Sequence, residues 1–177
     1  SDLALAGPTR AGFMRRATYA SVAVAAILIV VKTGAWLATD SVSVLSTLID
    51  SLLDVAASLV NLIAVRHALM PPDREHRFGH GKAEPLAGLA QAAFVTGSAL
   101  LLALEAVHRF ANPQMPANAI DGVGVMIFSM ALTVGLVIYQ RRVVRLTGST
   151  AITADALHYR GDALLNGSVI LSLMLST

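Results

Sequence analysis

Two aspartates lie near the middle of a segment that is apolar and long enough to cross a bilayer. Asp50 and Asp54 are four residues apart, so in a helix they project from one face, one turn apart. A carboxylate at that depth costs a few kcal/mol unless it has a partner, and such a residue is by default a candidate for function. Two carboxylates on one face need a shared partner, and a cation is the simplest one.

The aspartates belong to a polar stripe along the predicted span 41–65. Its members advance by an average of 3.6 residues and therefore share a narrow arc of an α-helix. They are Ser43, Thr47, Asp50, Asp54, Ser58 and Asn61. A hydrogen-bonding stripe that holds helices together, with neutral aspartates, is the simpler alternative. Two carboxylates one turn apart favour cation binding over that alternative.

A second segment carries a matching face. Asp155, His158, Asp162 and Asn166 are again spaced at about 3.6 residues. At 1.5 Å per residue, both sets lie near the midplane of a hydrocarbon core of about 30 Å. If the two helices are antiparallel neighbours, Asp54 is level with His158 and Asp50 with Asp162. Asp155 lies nearer the helix start, where it could line an access path or stabilise the first turn.

Three carboxylates and one imidazole suit a tetrahedral site for a divalent metal ion. Oxygen and nitrogen ligands of this kind favour Zn²⁺, Cd²⁺, Co²⁺ or Fe²⁺ over Mg²⁺ or Ca²⁺, and the sequence has no cysteine. An empty site of three carboxylates should hold protons, which the metal must displace because ligands bind deprotonated. The ligand set therefore predicts exchange of metal for protons, an antiport if access alternates between the two sides.

Two other classes of protein compete with this interpretation. An intramembrane metalloenzyme is disfavoured, because the sequence has no His-Glu-x-x-His motif and no second general base beside the metal set. A proton-coupled carrier of an organic solute, with the aspartates as proton sites only, stays open.

Composition predicts an all-α, polytopic helical membrane bundle. Of 177 residues, 55% are hydrophobic and 14% charged, and mean hydropathy is +0.68. The apolar residues fall in blocks of bilayer length. Five spans are predicted, at about 17–37, 41–65, 85–104, 122–140 and 149–175. Lys32 interrupts the first of them and can snorkel or face a partner.

Basic residues predict the orientation. Ten of them lie before span one, between spans two and three, and between spans four and five, whereas the opposite loops hold only Arg109. The amino terminus should therefore be cytoplasmic. The net charge of +2 gives no indication of nucleic-acid binding.

Three motifs resemble the cation diffusion facilitators, most closely the YiiP-type bacterial zinc and ferrous-iron efflux transporters. They are Asp-Ser-Leu-Leu-Asp at 50–54, Phe-Gly-His-Gly-Lys-Ala-Glu at 78–84 and Ala-Asp-Ala-Leu-His-Tyr-Arg-Gly-Asp at 154–162. The resemblance implies that residues 1–177 form a transmembrane cation-efflux domain of the inner membrane, with Asp50, Asp54, His158 and Asp162 as its Zn²⁺ transport site. It also implies a homodimer, and we expect a sixth span and a cytoplasmic domain outside this sequence.

The same resemblance implies a second metal site in the loop after span two. Asp73, His76 and His80 match the family motif there, and their spacing independently allows them to converge on one ion. A solvated loop, in which these side chains only form hydrogen bonds, is the alternative.

Overall fold

The predicted all-α fold is confirmed. A computed structural model describes residues 7–39, 42–111 and 119–175, and every regular element in those ranges is a helix. The helices are α1 Gly7–Thr39, α2 Val42–Ala68, α3 Ala83–Ala111, α4 Ala119–Thr147 and α5 Thr150–Leu175. Each contains most of one predicted span, and α1 to α4 continue beyond the predicted limits at one or both ends.

Three of the helices are long and apolar enough to cross a membrane, as judged within the described residues. The segments are Thr9–Ala38 in α1, Thr47–Ala68 in α2 and Gly124–Thr147 in α4. Large apolar side chains such as Val30, which is 70% exposed, cover the outside of the bundle, as expected for contact with lipid. The protein is therefore a helical membrane protein, and a total of five spans stays a prediction.

The five helices pack as a closed ring. Helix α1 lies beside α2 and α4, α3 lies beside α2 and α5, and α4 lies beside α5. Helix α5 also touches α1 and α2 across the ring. Because α2 and α5 carry the two polar faces, their contact inside the ring is where the predicted ligands can meet.

The turn between α4 and α5 sets where α5 begins. Gly148 has a φ of 63°, a left-handed conformation that glycine adopts without cost, and its N–H donates to Val144 O at 2.7 Å. Ser149 then caps α5, since its Oγ accepts from the N–H of Ile152 at 3.3 Å. Glu84 of α3 accepts from the N–H of Thr150 at 2.8 Å and so ties the start of α5 to α3.

An apolar cluster closes the end of the bundle that carries the basic loops. All five helices contribute buried side chains to it: Met14, Ala17, Val65, Ala87, Val143, Ala151 and Ile152. A second, smaller cluster of Leu136, Val137 and Tyr159 lies nearer the middle of α4 and α5. The first cluster therefore packs between the polar faces of α2 and α5 and the end of the bundle that carries the basic loops.

Candidate functional site

Three of the four predicted intramembrane ligands converge. His158 Nε2 lies 2.9 Å from Asp54 Oδ1 and 3.6 Å from Asp162 Oδ2. One ligand atom from each of the three residues lies within 4.8 Å of the other two. Ligands about 2.1 Å from a tetrahedral ion are roughly 3.4 Å apart. The observed separations are thus close to those that a bound ion requires.

The register of α2 against α5 produces this convergence. Tyr159 Oη and Ser58 Oγ share a hydrogen bond of 2.8 Å, and Asp54 meets His158 one turn away along α2. Further toward the basic loops, Asn61 of α2 lies beside Asp155 of α5. From Asn61 to Asp54 along α2 the partners on α5 run from Asp155 to His158, so the two helices are antiparallel. Asp54 is level with His158, as the spacing of the two polar faces predicted.

Asp50, the fourth predicted ligand, does not join the group of three. Its side chain is exposed and lies one turn from Asp54, toward the start of α2. It is still close enough for its charge to act on both Asp54 and Asp162. Asp50 therefore faces the same region as the cluster without contacting His158. Ser43, at the far end of the stripe, has a side chain outside the described residues.

Lys32 faces a partner, one of the two roles that its position allowed. Its Nζ donates to Ser51 Oγ at 2.7 Å and to the carbonyl of Thr47 at 3.1 Å, both on α2. The charges of Asp54, Asp50 and Asp162 all act on it. A cation thus stands beside the carboxylates, a feature that the sequence did not reveal because nothing in the α1 pattern points to α2.

Exposure rises steadily along the site. The side chains of His158, Asp54 and Asp162 are 8%, 15% and 33% exposed, and Asp50 is exposed. In the opposite direction, Ser58 and Tyr159 are both 1% exposed. The cluster therefore opens toward the start of α2 and is closed toward the basic loops.

Asp155 forms a separate buried junction on the closed side. It is 1% exposed, and its Oδ2 accepts hydrogen bonds from Ser21 Oγ and Gln140 Nε2, each at 2.6 Å. Gln91 Nε2 lies 3.5 Å from Oδ1, and the buried Asn61 lies beside the same carboxylate. These partners come from α1, α4, α3 and α2, so Asp155 links its own helix to the other four. This role differs from both roles considered from the sequence, stabilising the first turn and lining an access path.

The predicted loop ligands also converge. Asp73 Oδ1 lies 3.2 Å from His76 Nδ1, and Asp73 Oδ2 lies 3.3 Å from His80 Nε2. Their ligand atoms all lie within 4.8 Å of one another. Asp73 and His76 are exposed, whereas His80 is 6% exposed. This arrangement can hold an ion at the surface.

Local backbone hydrogen bonds shape the loop. Asp73 Oδ1 accepts from the main-chain N–H of His76 at 2.6 Å and of Glu75 at 3.0 Å. The hydrogen bond from His76 lowers the pKa of Asp73, so the carboxyl stays ionised and able to bind metal at neutral pH. Gly79, with a φ of 78°, turns the chain so that His80 points back toward Asp73.

The ring of His67, at the end of α2, packs edge-on against His80 with centroids 4.4 Å apart. No spacing rule predicts this contact, because the two residues are thirteen positions apart on either side of the loop. His67 thus helps to orient a predicted ligand without being one.

Replacing His80 with alanine should lower the affinity of the loop for Zn²⁺ by at least about tenfold, because it removes a ligand that packing has already fixed in place. Equilibrium Zn²⁺ titration measures this affinity. The protein also carries His158→Ala, which removes a ligand of the intramembrane site so that the titration reports binding to the loop. His67→Ala is the matched control and should cost less than His80→Ala. Equal affinity with and without His80 would contradict the loop site.

Comparison with known proteins places the chain in a family. Residues 18–177 match the model of the cation efflux transmembrane domain. The chain is 48% identical over 164 residues, 93% of its length, to the "Cation-efflux pump FieF" of Shewanella oneidensis, of which the match covers 55%. It is also 48% identical over 169 residues, 96% of its length, to proteins of the same name from Yersinia pestis and Yersinia pseudotuberculosis, of which the match covers 56%.

The chain spans about half the length of these relatives. The family match, by contrast, includes the residues of all three motifs that carried the resemblance. The chain belongs to the cation efflux family, the cation diffusion facilitators that its motifs predicted.

Proposed function

We propose that this protein exports a divalent metal ion, Zn²⁺ first and Cd²⁺ or Fe²⁺ as further substrates, in exchange for protons. The observation that carries the proposal is the convergence of Asp54, His158 and Asp162 between two helices of a membrane bundle. A nitrogen ligand with carboxylate oxygens is typical of zinc sites. The relatives named cation-efflux pumps support the direction of transport.

Charge balance supports a dication as the substrate. Asp50, Asp54 and Asp162 together contribute about −3 when ionised, and the ammonium group of Lys32, held beside them by Ser51 and Thr47, reduces this to about −2. A bound dication then leaves the region near neutrality, which a low-dielectric interior strongly favours. In this account Asp50 moves toward the cluster when metal binds and supplies the fourth ligand.

Charge balance also supports exchange for protons. When the metal leaves, about two negative charges would remain uncompensated inside the membrane, and protons are the available replacement. Metal binding in turn requires deprotonated ligands. Metal and protons therefore compete for the same atoms, and a gradient of one can drive the other.

The gradient of exposure supports access from one side at a time. The site is open toward Asp50 and closed by Ser58, Tyr159 and the junction at Asp155. The closed side carries the basic loops, which we place in the cytoplasm together with the amino terminus. We infer that this conformation faces outward and that the protein resides in the inner membrane.

The organic-solute carrier receives no support from the family or from the site. A solute carrier would not require an imidazole between two carboxylates at metal-ligand spacing. Homodimerisation, a sixth span and a cytoplasmic domain follow from the family resemblance alone and stay predictions.

Uptake of Zn²⁺ into proteoliposomes tests the proposal. Full-length protein is reconstituted, the interior is made more acidic than the outside, and a fluorescent zinc indicator inside reports entry. We expect the pH gradient to accelerate Zn²⁺ uptake and its collapse by an ionophore to slow it. A rate of Zn²⁺ uptake that does not depend on the pH gradient would rule out proton exchange. The absence of uptake of any divalent ion would rule out metal transport.

A further inference from the structure

Helices α4 and α5 enclose a groove on the outside of the bundle, near the end that carries the basic loops. Its volume is about 380 Å³. Three arginines line it, Arg141 and Arg145 from α4 and Arg160 from α5. Thr153 and Leu157 of α5 form part of its remaining wall. The groove is separate from the metal cluster, which α5 carries on its inner face.

The groove has positive charge without compensation. No acidic side chain lines it, and none of the three arginines forms an ion pair with any residue in the described part of the chain. The two acidic residues on this stretch of α5 face the inside of the bundle, where Asp155 accepts hydrogen bonds from Ser21 and Gln140 and Asp162 lies beside His158. Three guanidinium groups around one cavity repel one another unless an anion lies between them. Their planar N–H donors match the oxygens of a phosphate group.

The depth of the arginines fits a lipid headgroup. Arg141 lies six residues before the end of α4, about 9 Å along the helix, and Arg160 lies about 15 Å from the start of α5. The headgroup region on each side of a bilayer is roughly 5–8 Å thick, and arginine side chains extend from deeper positions toward it. The guanidinium groups of Arg141 and Arg145 can therefore reach the level of the lipid phosphates, and Arg160 lines the deeper end of the same groove.

The walls of the groove are partly apolar, which distinguishes a lipid from a free anion. Leu157 is 54% exposed beside the arginines, and Val144 lies on the facing helix. A free phosphate would use only the guanidinium groups, whereas an acyl chain would also cover these side chains. Basic pockets between membrane helices commonly hold anionic lipid headgroups.

We propose that this groove binds an anionic phospholipid, with its phosphate held by Arg141 and Arg145, Arg160 lining the deeper end of the groove and an acyl chain along Leu157. The site is distinct from both candidate metal sites and does not depend on which ion the protein carries. It makes α5 a helix with a metal cluster on its inner face and a lipid on its outer face.

Native mass spectrometry of the full-length protein with added phosphatidylglycerol or phosphatidylethanolamine tests this proposal. We expect wild type to retain phosphatidylglycerol with about tenfold preference over phosphatidylethanolamine. The triple variant Arg141→Gln, Arg145→Gln, Arg160→Gln should lose that preference, and the single variant Arg160→Gln should weaken it if the triple variant does not fold. Arg142→Gln is the matched control, because Arg142 is exposed on α4 but does not line the groove.

Two outcomes would overturn the lipid site. One is retention of phosphatidylglycerol by the arginine variants at the level of wild type and Arg142→Gln. The other is displacement of the lipid by millimolar inorganic phosphate, which would assign the groove to a free anion.

Discussion

Replacing His158 with alanine is expected to reduce the affinity of the intramembrane site for Zn²⁺ by at least about 100-fold, because partners outside the coordination shell alone change metal affinity by about 10–100-fold. His158 is the one nitrogen donor in the cluster and lies between Asp54 and Asp162. Without it, only carboxylate oxygens remain in the cluster, a ligand set that suits Mg²⁺ or Ca²⁺ better than Zn²⁺. Asp54→Asn should have an effect of similar size.

The measurement is equilibrium binding of Zn²⁺ in protein whose loop site has been removed by Asp73→Ala, His76→Ala and His80→Ala. His67→Ala in that background is the control for loss of an imidazole elsewhere. Unchanged affinity after His158→Ala would show that the ion binds somewhere else.

The variant Asp50→Asn distinguishes a metal site with four protein ligands from a metal site with three. If Asp50 moves in to complete the shell, its loss should weaken Zn²⁺ binding by about tenfold or more. If affinity equals that of wild type, a water molecule holds the fourth position and Asp50 has another role. The result matters because the structure leaves this carboxylate exposed and outside the cluster.

Asp155→Ala is expected to lower the free energy of unfolding by about 3 kcal/mol. The change removes two buried hydrogen bonds, at about 0.5–1.5 kcal/mol each, and opens a cavity where four other helices meet. Within the described residues, Ser21 keeps only the Ala17 carbonyl as an acceptor, and Gln140 keeps only the Ser21 hydroxyl. Asp155→Asn keeps the shape and one acceptor oxygen, so it should cost less. Because Asp155 touches neither Asp54 nor Asp162 within hydrogen-bond distance, Zn²⁺ binding by folded Asp155→Asn should stay close to that of wild type.

Equilibrium unfolding in mixed detergent micelles measures the change in stability. Asp73→Ala is the matched control, since it removes an exposed carboxylate from a loop. If Asp155→Ala unfolds at the same detergent fraction as wild type, the junction does not hold the bundle together.

The sequence predicted the two polar faces and their alignment because both follow from helical periodicity. Asp54 and Asp162 lie on repeating polar positions, and distance from the helix ends sets their depth. The convergence of the loop residues was predictable for a similar reason, because Asp73, His76 and His80 are close in sequence and a short loop keeps them close in space.

The junction at Asp155 and the position of Lys32 were not predictable in this way. Ser21, Gln91 and Gln140 are isolated polar residues in apolar helices, and no spacing rule says that they meet. Their convergence depends on the ring order of the helices, which local patterns do not encode. The exposed position of Asp50 was missed for another reason, since periodicity assigns a residue to a face but not to a degree of burial.

Proton counterflow tests the central claim most directly. Full-length protein is reconstituted in vesicles that contain a pH indicator, with equal pH on both sides, and Zn²⁺ is added outside. If metal and protons exchange at Asp54, His158 and Asp162, Zn²⁺ entry must expel protons, so the interior becomes more alkaline in wild type and stays constant in His158→Ala. Zn²⁺ accumulation without a change of internal pH, or an equal change in His158→Ala, would contradict the account.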